Sequence, residues 1–221
     1  MESEKRSLRK HILSMSEIVF ITLMAVLNVG FDLFLSPLFI LLLGHVVAGI
    51  LIMVPINFIF ISLTKHLVDK FGTLVLYMIV FSALAIPTTF FGAFPGIYKL
   101  LVGVAIGILL DLVFFIKTPV LFKIFMGGLL GAIGWWLGTF LIWTLLGFPY
   151  VTGMSNFLNE FIPISRFISL PITKINSDFF LFVLICGLLS AIPCVLMCTI
   201  TYPIAKTIKS TSIYEKFNQM Q

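Results

Sequence analysis

Asp32 lies at the far end of the first long apolar run of this chain. A carboxylate in or near hydrocarbon is costly unless it meets water, a cavity or a partner. Asp32 could therefore hold a cationic ligand, or sit with water among lipid headgroups. Glu160 offers a second carboxylate in a long connecting segment, where solvation is its ordinary role. His45, beside Gly44 in the second run, can hydrogen-bond a ligand or a neighbouring helix. Trp136, Thr139 and Trp143 fall on roughly one helical face of the fifth run. Trp143, Tyr98 and Tyr150 flank run ends, where aromatic anchors are expected. Trp136 lies deeper, and either packs in a bundle or forms a stacking wall. An aromatic wall near Asp32 would suit a flat cationic ligand through stacking and cation–π attraction.

Other chemistry has little to stand on. Ser36, His45 and Asp32 share an approximate depth, but nothing in the sequence makes them converge as a catalytic triad. There is no H-E-x-x-H, no paired-aspartate motif and no phosphate cradle. The histidines are His11, His45 and His66, and His11 and His66 are expected on the side opposite His45, so no metal is expected and no cofactor is called for. Cys186, Cys194 and Cys198 all fall in the last apolar run and read as small apolar filling. Asp111 is expected to pair with Lys117 or Lys123. His66, Asp69 and Lys70 read as a solvated cluster, with Asp69 at i+3 from His66.

Six apolar runs must position these residues. The chain is 60% hydrophobic and 10% charged, against about 25% charged in an ordinary soluble domain. The runs are about Met15–Phe31, Pro37–Leu63, Thr73–Phe91, Leu100–Ile116, Val120–Leu146 and Phe179–Ala205. Each can cross about 30 Å of hydrocarbon as a helix, and helices are required because lipid offers no partner for backbone polar groups. The expected fold is all-α: one membrane domain over residues 1–221, a bundle of six transmembrane helices.

The charges fix an expected orientation. With the N-terminus inside, Lys5, Arg6, Arg9, Lys10, Lys65, Lys70, Lys117, Lys123, Lys206, Lys209 and Lys216 are cytoplasmic, and Lys99, Arg166 and Lys174 are external, which accounts for all 14 Lys and Arg. The positive-inside rule favours this arrangement, with both termini cytoplasmic. The net charge of +5 is thus read as topology, and no nucleic acid is expected. The basic N-terminus followed by an apolar run resembles a signal peptide but lacks a small-residue cleavage site, and is read as a retained first span. Residues 147–178 form a long external loop, with a short interfacial helix expected around Met154–Phe161.

Small residues recur four apart at Gly44/Ala48, Gly103/Gly107, Gly127/Gly131 and Gly134/Gly138. This spacing lets helix backbones approach closely, inside the bundle or against another membrane subunit. The stretch Phe90 to Phe115 reads F-F-G-A-F-P-G-I-Y-K-L-L-V-G-V-A-I-G-I-L-L-D-L-V-F-F. It resembles the substrate-binding S components of energy-coupling-factor vitamin transporters, through Gly92, Pro95, Gly96, Gly103, Gly107 and Asp111. The Gly-rich Gly127–Gly138 stretch and the six-span layout add to the resemblance. It implies a transport subunit and no enzyme. Such a subunit captures a micronutrient from outside and works with a transmembrane coupling subunit and two cytoplasmic ATPases, toppling in the bilayer to deliver its substrate.

On this reading the substrate-facing set is Asp32, His45, Phe94, Tyr98, Trp136, Trp143 and Glu160. The face toward the coupling subunit is carried by Ala25 and Gly30. Thiamine or its pyrimidine precursor is the favoured substrate, from the outer aromatics with Asp32 and Glu160, with riboflavin, biotin, folate and queuosine-type precursors open beside it. Two other classes compete. An intramembrane enzyme, such as a protease or lipid-modifying protein, would draw on His45, Asn57, Asn28 and Asp32. A structural or assembly protein would fill the bundle with its aromatics.

Overall fold

The computed structural model describes residues 13–43, 48–86, 97–145 and 177–211. All regular structure among these residues is helical. Helix α1 is Met15–Leu43 and α2 is Val54–Leu67, entered through a π-helical turn at Gly49–Met53. Helices α3, α4, α5 and α6 are Thr73–Ala85, Tyr98–Phe115, Val120–Leu145 and Ser177–Lys209. Five of these are long and apolar enough to cross a membrane, α2 counting with its π turn, and α3 is a shorter apolar helix. The predicted loop, with its Met154–Phe161 helix, lies outside the described residues except where its last positions begin α6.

The sequence places a break between residues 31 and 37, but α1 runs through Pro37 to Leu43. Proline removes one backbone donor. In an apolar setting that loss is smaller than the cost of unwinding residues 32–43, whose remaining backbone groups have no other partner. The start of α1 is fixed by a reciprocal capping box. Ser14 Oγ accepts the Glu17 backbone N–H at 3.3 Å, and Glu17 Oε2 accepts that of Ser14 at 2.7 Å. Replacing Ser14 by alanine is expected to lower stability by about 1 kcal/mol. Equilibrium unfolding in mixed micelles measures this, and an unchanged midpoint would show that Glu17 alone holds the first turn.

The helices close into a ring. α1 packs on α3, α3 on α4, α4 on α5, α5 on α6, and α6 on α2, which touches α1 and α3 more lightly. Glycines set the closest approaches. A Cβ at Gly107 would stand 2.9 Å from Leu74 O and Val75 Cα on α3, and one at Gly103 would run into Ser82. Gly128 meets the Val195 backbone, and Gly187 meets that of Ile133, so α5 and α6 approach closely at two levels. Gly127, Gly131, Gly134 and Gly138 face Phe114, Phe58, Leu109 and Val102. The glycines at Gly103/Gly107 and along Gly127–Gly138 therefore serve internal packing.

The outward faces remain apolar. α1 buries only a narrow seam, Glu17, Ile21, Met24, Ala25, Asn28, Val29 and Ser36. It exposes Leu23, Leu27, Phe34 and Leu41, while α5 and α6 expose Leu121, Phe125, Ile192 and Leu196. Apolar surface on this scale is suited to hydrocarbon contact. Cys186, Cys194 and Cys198 are free thiols buried in the core.

Candidate functional site

The polar residues of the bundle fall into two groups. The first ties the helix ends at the lysine-rich end. Asp111 on α4 is fully buried and uses both carboxylate oxygens. Oδ1 accepts the Lys65 ammonium at 2.8 Å, and Oδ2 accepts the backbone N–H groups of Leu74 and Val75 at 3.0 Å each. The carboxylate thus neutralises a buried cation on α2 and caps the N-terminus of α3, where the helix dipole favours negative charge. Lys65 Nζ also donates to Lys70 O at 2.7 Å, and Lys70 Nζ pairs with Glu17 at 2.8 Å, adding α1 to the knot. The turn between α2 and α3 closes through Gly72, whose φ of 88° is the left-handed conformation glycine adopts without strain. The sequence expectation of Lys117 or Lys123 as partner of Asp111 is corrected here. Lys117 is exposed beyond the end of α4, whereas Lys65 projects into the interior at the level of the carboxylate.

At the other end of α3, Lys99 Nζ donates to Ala85 O at 2.7 Å. One helix therefore places an anion at the start of α3 and a cation at its finish, each matched to the local end of the dipole. Asp111 and Lys99 lie about 18 Å apart along α4, close to the ~20 Å length of α3.

The second group lies inside the bundle. Asn28 Nδ2 on α1 donates to the Tyr77 hydroxyl on α3 at 2.8 Å. Asp32, partly buried on α1, lies near the Asn57 side chain on α2. Trp136 on α5 is buried and stacks on Phe140, with ring centroids 5.2 Å apart. Its ring edge covers Gly49 in the π turn, where a Cβ would meet Cη2 at 3.0 Å. Such turns insert a residue into a helix and recur at functional sites. Among the described residues, Asn28 Oδ1, Asn57 Oδ1 and Trp136 Nε1 are buried polar atoms with no hydrogen-bond partner.

A cavity of about 260 Å³ opens at the lysine-rich end, lined from α2 and its following turn by Lys65, His66 and Asp69, and from α4 by Phe114. Val120 and Lys123 of α5 and Tyr202, Ala205, Lys206 and Lys209 of α6 complete it. The His66 ring sits edge-on to Phe114 and Tyr202, with centroids at 5.8 and 5.2 Å.

Of the residues singled out in the sequence, the structure sets Asp32 near Asn57 on α2 and Trp136 against Gly49 in the π turn before it. Tyr98 is partly exposed in the first turn of α4. His45, Phe94 and Glu160, and the side chain of Trp143, lie outside the described residues. Ala25 is fully buried within its own bundle and so is not open to a second subunit, because it falls on the seam α1 presents to its neighbours; Gly30 has open space beside it. The Asn28–Tyr77 bond, the Lys65–Asp111 pair and the π turn are additions of the fold. Asn28 and Asn57, uncharged amides within apolar runs, were the available signal. No known protein family, curated protein or solved structure matches this chain.

Proposed function

We propose that this chain is a multi-pass cell-membrane protein that captures a small heteroaromatic micronutrient, as the S component of an energy-coupling-factor importer. The observation that supports the reading is three unsatisfied polar atoms inside the bundle, among seven such buried atoms in the described residues. Asn28 Oδ1 and Asn57 Oδ1 can only accept hydrogen bonds, and Trp136 Nε1 can only donate one. Buried polar atoms without protein partners in a native protein are met by a water, an ion or a ligand. An aminopyrimidine carries groups of both kinds, amino N–H donors for an amide oxygen and ring nitrogens able to accept from an indole. Asp32 favours a cationic ring system, which fits the thiazolium of thiamine, while the neutral pyrimidine precursor would rely on the hydrogen bonds. The chain carries no nucleotide-binding motif, so a transmembrane coupling subunit and two ATPases would supply energy. The lysine-rich end, with Lys65, Lys70, Lys123, Lys206 and Lys209, is assigned to the cytoplasm by the positive-inside rule, and both termini with it.

Native mass spectrometry of detergent-purified protein, followed by extraction and identification of retained small molecules, tests the proposal. A stoichiometric aminopyrimidine or other heteroaromatic vitamin is expected. Replacing Trp136 by phenylalanine keeps the stack and removes the donor, and is expected to weaken binding roughly tenfold. A protein that is empty as purified and binds no member of a vitamin panel would reject the transport reading.

A further inference from the structure

The cavity at the lysine-rich end shares no lining residue with the proposed capture site, and its chemistry is distinct. Its walls, with the ion partner of Lys65, carry four lysines, Lys65, Lys123, Lys206 and Lys209, against two carboxylates, Asp69 and Asp111, which leaves a formal charge of +2. The Lys65 charge is already matched by Asp111 at 2.8 Å. Lys123, Lys206 and Lys209 have no ion-pair partner among the described residues. His66 lines the same space, and its Nε2 is buried with no hydrogen-bond partner among those residues. Three flexible ammonium groups, a buried imidazole nitrogen and a formal charge of +2 match a phosphate dianion. The setting favours a phosphate carried on lipid. Next to the lining residues on α4, α5 and α6 stand Phe115, Leu121 and Ile204, all exposed and apolar, where acyl chains would lie below a headgroup. Basic pockets between membrane helices at a cytoplasmic face take anionic headgroups in this way.

We propose that this cavity binds the phosphate headgroup of an anionic phospholipid, held by Lys123, Lys206, Lys209 and His66. Asp69, on the rim, disfavours a headgroup carrying further negative charge beyond the phosphate. The proposal is independent of the identity of the transported substrate.

Full-length protein in detergent, titrated with dioleoyl phosphatidic acid or dioleoyl phosphatidylcholine and observed by native mass spectrometry, tests it. One phosphatidic acid is expected to be retained in preference to phosphatidylcholine. K206Q/K209Q is expected to weaken that retention roughly thirty-fold. K117Q, at an exposed lysine outside the cavity, is expected to leave it unchanged. Thermal unfolding verifies that each variant is folded, and K123Q provides the same reading if the double variant is not. Equal retention of the two lipids, full retention by folded K206Q/K209Q, or equal loss in K117Q would overturn the proposal. Inorganic phosphate that displaces phosphatidic acid at equal concentration would also overturn it, assigning the site to a free anion.

Discussion

Replacing Lys65 by methionine is expected to destabilise the protein by about 3–5 kcal/mol, the largest effect of any single substitution considered for this chain. Both members of the Lys65–Asp111 pair are buried, at 3% and 0% side-chain exposure. Methionine fills much of the lysine stem's space, so the loss is electrostatic. It leaves the Asp111 carboxylate in the interior with two backbone N–H donors and no countercharge. The second variant makes the reading specific. In K65M/D111N the residue at 111 is neutral, and its amide oxygen can still accept from Leu74 or Val75, so more than half of the lost stability is expected to return. Equilibrium unfolding in mixed micelles gives both numbers. A K65M midpoint equal to the wild type would mean that the pair is not a structural tie, and additive losses in the double variant would mean that Asp111 acts only as a helix cap.

Gly107→Val is expected to lower stability by about 1–3 kcal/mol or more, because the new Cβ would press on backbone rather than on a side chain able to turn away. The atoms met are Leu74 O and Val75 Cα, both 2.9 Å from the Cβ position. These are also the residues whose amides Asp111 holds, so separating α3 from α4 loosens the polar cap together with the apolar contact. Gly30→Ala is the matched control. Nothing stands within 4 Å of its Cβ position, and alanine in a helix is favoured over glycine by up to about 1 kcal/mol. Gly30→Ala should therefore melt at or above the wild-type temperature while Gly107→Val melts well below it. Equal effects from the two would show that glycine content, and not close approach, sets stability.

These two sites mark what the sequence discloses. The apolar runs, the helical class and the grouping of lysines at one end follow from composition and charge order. Gly103 and Gly107 could be read as a packing face from spacing alone. The limit of α1 could not, because Pro37 and Asp32 look like a boundary, whereas a continuous helix is the cheaper arrangement for an apolar backbone. The partner of Asp111 was also hidden. Lys117 and Lys123 are near in sequence, but it is Lys65 that reaches the carboxylate, at 2.8 Å, and only the tertiary arrangement of the bundle decides this. Of the site residues, Trp136 was legible as too deep for an interfacial anchor. Its missing hydrogen-bond partner and its place over the π turn depend on how α5 meets α2, which no local pattern records.

The ring order has a consequence for how the chain is made. α2 carries Asn57, Ser62, Thr64 and Lys65, a polar load for an apolar helix, yet its main neighbour is α6, the last of the six in chain order. Ser62 meets Thr201 at 2.8 Å across 139 residues of chain. At ~5–20 residues per second, α2 leaves the ribosome on the order of ten seconds before that partner exists. Meanwhile α3 and α4 can pair and engage Lys65 through Asp111, so the ion pair shelters the most polar helix during biosynthesis. The nascent protein thus holds an unfinished, partly polar helix in the membrane until α6 has been made, which makes α6 the stave that closes this ring.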